Sequence, residues 1–308
     1  MDNEFSFHSN GKLLISGEYL VLTGAKALAL PVRFGQSIQI KSNNIHTITW
    51  ISSDPHSTWF SCKIDPTGFK ILQTSNHSVS EYLKELLLAC RRLNPGFLTN
   101  EGGMDIMIQA NYPLNWGLGS SSTLIALVAG LAKVDKLKLF RSVSNGSGYD
   151  LACTDRNSLL FYQLNNEEVS IDEAEPGKAL LNHACFAYLG NKQETAGEVI
   201  SFLSNKNFTD ADIDRISELS MQICKTDDVM NFCALVEEHE EILSRILLKE
   251  KISKQFPDFP GSVKSLGAWG GDFAMFTSKL ENREIKAQLV QLGFNVIFTF
   301  DELKIIMD

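Results

Sequence analysis

The sequence predicts an α+β protein of two domains. Three observations carry that expectation. Segments with apolar residues at strand spacing and at helix spacing interleave, without the regular repeat of a doubly wound sheet or a barrel. The 308 residues exceed what one hydrophobic core usually organises. A polar stretch bearing Pro and Gly, residues 165–177, separates a strand-rich first half from a second half in which helices dominate from Ala196 to about Leu248. A boundary there gives domains 1–178 and 179–308.

Composition narrows the class. A hydrophobic content of 44% and a charged content of 21% are those of a soluble globular chain. The formal charge of −9 argues against nucleic acid or an anionic membrane as partner, so a polyanionic ligand needs a local positive field from helix ends and a few lysines. No apolar run approaches the roughly 18 residues that would span a bilayer, because Lys133 closes the best one. The start, Met-Asp-Asn-Glu-Phe, has neither the basic end nor the apolar core of a secretory signal. Six cysteines are scattered among mostly apolar neighbours without a Cys-x-x-Cys pair, which suits buried, reduced thiols and a cytoplasmic location.

In chain order, Phe5 to Ile15 reads as short strands turning at Asn10-Gly11, and Gly17-Glu18-Tyr19 interrupts before a further short strand at Leu20-Val21-Leu22. Residues 36–40 and 47–51 alternate as strands, and Ser80 to Leu93 has the spacing of an amphipathic helix that Pro95-Gly96 ends. Met104 to Gln109 is a strand that leads into the most informative stretch, Pro113-Leu-Asn-Trp-Gly117-Leu118-Gly119-Ser120-Ser121-Ser122-Thr123, followed by the apolar series of a helix. Two glycines permit a tight turn, and the serines sit where the helix's first amides lack partners. The stretch is either an ordinary Ser-capped helix or a socket for an anion such as a triphosphate.

Ser147-Gly148-Tyr149-Asp150 opens a second helical turn, in which the aspartate is either an N-cap or a functional carboxylate. The second half starts with a strand at Ala184–Leu189. Helices follow from Ala196 to about Leu248, where Glu237-Glu-His239-Glu-Glu241 reads as a solvated acidic face rather than a metal site, no second histidine lying a turn away. Ser265-Leu-Gly267-Ala-Trp269-Gly270-Gly271-Asp272 leads into the strand 273–277. A helix at 284–292 and a strand at 295–300 close the chain.

Three glycine-bearing stretches, Gly11-Lys12 through Gly17-Glu18-Tyr19, Pro113 through Ser122, and Leu266 through Phe273, together with Ser147-Gly148-Tyr149-Asp150, resemble in order the motifs of the GHMP kinase superfamily. The resemblance spans nearly the whole chain. It implies an N-terminal domain of the ribosomal-protein-S5 domain 2 type, a ferredoxin-like C-terminal domain, and ATP with Mg²⁺ as cofactors. It makes Asp150 the group that accepts or orients the substrate hydroxyl's proton. Lys12 becomes the cation that steadies that aspartate or neutralises the transferring group. Gly117, Leu118, Gly119, Ser120, Ser121 and Ser122 become the phosphate loop, with Ser121 also offering its hydroxyl to the metal, and Glu18, Tyr19, Thr195, Gly270 and Gly271 become substrate contacts. The implied partner is a small-molecule alcohol, mevalonate first and phosphomevalonate second, bound by a monomer or homodimer. A decarboxylase-like relative and a non-catalytic sensor on the same fold are the alternatives. Gly-Tyr-Asp-Leu-Ala also looks like a bacterial subgroup of these kinases. The chain departs from mevalonate kinase-like members in having no acidic residue but Asp135 across residues 123–145, with Leu139 near the place of their metal-binding glutamate, and in carrying Trp269 and Asp272 where small residues are common.

Overall fold

A computed structural model describes residues 5–99, 102–166, 168–190 and 195–306. They divide into two compact units. The first takes residues up to Gly11, Phe34–Leu114 and Leu118–Asp155. The second takes Lys12–Arg33, Asn115–Gly117 and the chain from Arg156 onward. The expected boundary at 178/179 therefore falls inside the second unit, because strands β1 (Phe5–Ser16) and β2 (Ala27–Asn43) each contribute to both units.

In the first unit the second half of β2 joins β3 (Ile48–Ser53), β4 (Thr58–Asp65) and β5 (Lys70–Thr74), helix α1 (His77–Leu93) follows, and β6 (Gly103–Ala110) completes a sheet ordered β5-β4-β3-β6-β2. β3 and β6 pair in parallel, and the β5-β4, β4-β3 and β6-β2 pairs are antiparallel. Period-two spacing turns Ile38, Trp50, Phe60, Cys62, Ile106 and Ile108 to one face, which packs against Leu83, Leu86, Leu87 and Cys90 of α1. Asn76 caps α1 by accepting the Val79 N–H at 3.2 Å. Helices α2 (Ser120–Ala132), α3 (Lys136–Val143) and the short α4 (Tyr149–Cys153) finish this unit, with Ile125, Val128, Ala129 and Leu139 in the same core.

In the second unit β7 (Leu160–Asn165) and β8 (Glu168–Glu173) form a hairpin, and β7 pairs with the first half of β2 through Ala27–Ala29. After α5 (Lys178–Asn182) come β9 (Ala184–Tyr188), helices α6 (Thr195–Asn205), α7 (Asp210–Lys225) and α8 (Val229–Leu247), strands β10 (Gly261–Leu266) and β11 (Phe273–Ser278), helix α9 (Asn282–Gln291), strand β12 (Ile297–Thr299) and helix α10 (Phe300–Leu303). The order β10-β11-β9-β12, antiparallel throughout, with helices bridging β9 to β10 and β11 to β12, is the β-α-β-β-α-β arrangement of ferredoxin-like domains. Phe276 lies at its centre, with the rings of Phe256, Phe259 and Phe294 edge-on to it at 5.1–5.3 Å.

Several local expectations change. The run from Phe5 to Ser16 is one strand, not two joined at Asn10-Gly11, because pairing with β2 continues the ladder past the turn-forming dipeptide. Leu20-Val21-Leu22 is a 3-10 turn closed by Leu22 N–H donating to the Tyr19 carbonyl at 3.0 Å; three apolar residues in a row cannot distinguish a buried turn from a strand. The supposed connection 165–177 contains β8, whose acidic, exposed residues are those of an edge strand. All six cysteines are free thiols and all but Cys233 are buried; burial pushes the Cys62 and Cys90 thiols up to about 12. Among the described residues, no helix is long and apolar enough to cross a membrane.

Leu86, fully buried in α1, is expected to cost about 2–5 kcal/mol when replaced by Ala. The half-exposed Leu72→Ala change on β5 should stay within about 0.5 kcal/mol. Urea unfolding of the two variants checks the difference.

Candidate active site

The glycine-serine stretch folds as its composition requires. Gly117 and Gly119 adopt φ of +67° and +88°, the left-handed region that glycine enters without strain, and α2 starts at Ser120 with no side chain capping it. In the first unit Leu118 is buried, Ser120 is half-buried and Ser121 is exposed, with the Tyr82 hydroxyl 3.5 Å from its own. Ser122 is buried, so the stretch offers two hydroxyls to a ligand instead of three. Thr123 secures this first turn: its hydroxyl donates to Gln36 Oε1 at 2.7 Å, and its amide donates to the Gly119 carbonyl at 3.0 Å.

Helix α4 packs on α2 in the same unit and likewise starts from a left-handed glycine, Gly148 at φ +87°. Asp150 is not the N-cap; it is the second helical residue, half-buried, where an anion is favoured by the helix dipole. The far end of α4 is held by Lys136, whose ammonium donates to the Leu151 carbonyl at 3.1 Å and the Thr154 hydroxyl at 3.0 Å and pairs with Asp155 at 2.6 Å.

The remaining expected residues lie in the second unit. Lys12 Nζ donates to the Gly117 carbonyl at 3.3 Å. Gly117 in turn has no room for a side chain, since a Cβ there would lie 1.6 Å from Asp272 Oδ2. The Trp116 ring sits among Tyr188, Phe273 and Phe298, and the Tyr188 hydroxyl donates to the Asn115 carbonyl at 3.1 Å. In the third glycine stretch Gly270 has φ +70°, while a Cβ on Gly271 would lie 2.3 Å from the Ala268 carbonyl. Trp269 does not stand in the way of a ligand there: it is buried, and its indole N–H donates to the Glu250 carbonyl at 3.0 Å. Residues 191–194 of the expected substrate turn lie outside the described residues; Thr195 opens α6, and its side chain is also outside them.

Glu18 and Tyr19 are placed otherwise than a substrate contact requires. Glu18 is 2% exposed, and its carboxylate pairs with Lys264 of β10; Tyr19 is buried, and its hydroxyl accepts the Trp269 N–H at 2.8 Å. Beside this pair are two groups expected on a solvated face, His239 and Glu240. They lie at the buried spacing of Phe232, Leu235, Val236 and Leu243, while Glu237, Glu238 and Glu241 meet Lys251 and Arg215 nearer the surface. His239 Nε2 accepts the Gly17 N–H at 3.1 Å, and burial with the Lys264 charge holds the ring neutral. Burial raises the Glu18 carboxyl, which the Lys264 ammonium opposes. Glu240, 4.0 Å from Lys264, is pushed by burial up to about 8.

Lys264 and Lys136 were not singled out by sequence, and Asp272 stood out only as a departure where small residues are common. Lys264 lies in the mixed stretch Gly261-Ser-Val-Lys-Ser-Leu266, which carries no local sign of its burial. Among the described residues no group of three His, Cys, Asp or Glu could hold a metal, and Leu139 is fully buried. Of the expected metal donors Ser121 is exposed, so its hydroxyl could serve a cation such as Mg²⁺, which needs few protein ligands.

The chain matches no protein-family model, and no curated protein matches it in sequence. Solved structures do match its fold. Mevalonate kinase of Methanococcus jannaschii is 17% identical with a TM-score of 0.71, covering 99% of each chain. Streptococcus pneumoniae phosphomevalonate kinase, in complex with phosphomevalonate and AMPPNP, is also 17% identical with a TM-score of 0.71, covering 96% of this chain and 100% of its own. Lactococcus lactis galactokinase, complexed with galactose, is 11% identical with a TM-score of 0.65, covering 98% of this chain and 94% of its own. The fold is that of small-molecule kinases. In particular, it is the α+β fold shared by the GHMP kinases.

Glu240 gives a pH test of the buried cluster. The native carboxyl keeps its proton up to about pH 8, whereas in the unfolded chain it is lost near its ordinary 4.5. Stability from this group is full below pH 4.5 and falls as pH rises to 8. Glu240→Gln should flatten that decline in urea unfolding at pH 5 to 8, and an unaltered profile would assign it elsewhere.

Proposed function

We propose that the protein is an ATP- and Mg²⁺-dependent kinase that transfers the γ-phosphoryl group to the hydroxyl of a small alcohol, mevalonate first and phosphomevalonate second. The observation that carries the reading is the pairing, within one unit, of the uncapped α2 terminus bearing an exposed Ser121 with the helix that carries Asp150. Amides of Gly117 to Ser122 and the hydroxyls of Ser120 and Ser121 hold the phosphates. Asp150 takes or orients the proton of the attacking hydroxyl, and Lys12 neutralises charge on the transferring group. Bound Mg²⁺ would supply charge neutralisation on the phosphate oxygens, with Ser121 as the hydroxyl that this chain offers it. The phosphomevalonate kinase neighbour holds AMPPNP, which supports ATP as donor.

An ADP-release assay against mevalonate, phosphomevalonate, homoserine and galactose tests the reading and ranks the acceptors. Asp150→Asn should fold normally and lose about 10² to 10⁴ in turnover, the usual worth of a positioned general base. Full turnover in that variant removes Asp150 from the chemistry, and tight ATP binding without transfer to any of the four would turn the reading into that of a sensor.

A further inference from the structure

Glu18 and Lys264 form an ion pair enclosed by protein, at 2% and 0% exposure. An apolar pair of similar volume serves stability as well as such a bridge does, so its use is sought in what it holds. Each partner precedes in sequence a residue that grips the turn 267–271. Tyr19, after Glu18, accepts the Trp269 N–H at 2.8 Å. Ser265, after Lys264, accepts the Gly270 N–H on its hydroxyl at 2.7 Å and the Lys264 ammonium on its carbonyl at 2.9 Å. The approach to Tyr19 is constrained as well. Gly17 donates to His239 at 3.1 Å, and at φ +90° its Cβ position is blocked by Ala27. Tyr19 itself has φ +61°, which a bulky residue keeps only when its surroundings impose it, and its ring lies 5.5 Å from that of Phe202.

We propose that the Glu18–Lys264 pair, acting through Tyr19 and Ser265, fixes the conformation of the turn 267–271, whose Gly270 and Gly271 the kinase reading makes substrate contacts. Glu18, Lys264 and Tyr19 are then positioning residues, remote from the ligand. The inference rests on the kinase reading for there being a ligand at this turn; the order of the turn can be measured without it.

Hydrogen exchange of the intact, nucleotide-free chain, read by mass spectrometry over 266–272, tests the proposal. Tyr19→Phe keeps the ring against Phe202 and loses only the hydroxyl acceptor. The double variant Glu18→Gln/Lys264→Met removes both charges at once, so that neither is left buried alone. In both, the turn should exchange about tenfold faster, the factor that one lost hydrogen bond supplies, while amides of β9 and β11 exchange at the wild-type rate. A wild-type rate at 267–271 in either variant overturns the proposal, as does an equal loosening of β9 and β11, which would make the pair a general support of the unit. If the double variant fails to fold, Tyr19→Phe decides alone. Absence of phosphoryl transfer together with a loosened turn would remove the kinase reading and leave the positioning role in place.

Discussion

Two helices of the first unit begin on a left-handed glycine instead of a capping side chain, and this constraint sets what the candidate site can do. A Ser, Thr, Asp or Asn cap would have consumed one of the first amides of α2 or α4. Gly119 at φ +88° and Gly148 at φ +87° leave both helix starts without a side-chain cap. A β-branched or bulky residue at either position would be strained, so the backbone path and the absence of a cap follow from one choice of residue. The cost of the uncapped starts is offset by packing: α2 and α4 contribute Ile125, Val128, Ala129 and Leu151 to the core under the sheet.

The second unit faces the opposite difficulty, charge taken away from water. Lys264, Glu18, Glu240 and His239 share one enclosed region, and a full set of charges there could not be sustained. The molecule resolves this by pairing Lys264 with Glu18, keeping His239 neutral as an acceptor for the Gly17 amide, and raising Glu240 until it holds its proton near neutrality. The opposing pulls on Glu240 and His239 confine the favourable range, since base ionises the first and acid protonates the second.

Much of the fold was legible. The strands 36–40, 104–109 and 273–277, the helix ending at Leu93 and the helix after Ser120 all lie within observed elements, because their apolar period matched a face that is buried. The failures share a cause: Asn10-Gly11 and the acidic run of β8 carry local signals for turns and linkers that pairing into a sheet overrides. His239 and Glu240 were read by residue type, although their positions continued the apolar stripe of α8. Type alone could not show that Lys264, from a strand later in the chain, would come to meet them.

The sequence by itself determined the backbone-encoded features: where glycine permits a left-handed turn, where an apolar period makes a helix or strand, and which hydroxyls follow the turn. These depend on neighbours a few residues away. The tertiary structure decided exposure and partnership. It left Ser121 open and buried Ser122, set Asp272 against Gly117, and committed Glu18 to Lys264 across 246 residues of chain, because solvent access and charge pairing are fixed by what packs nearby in space.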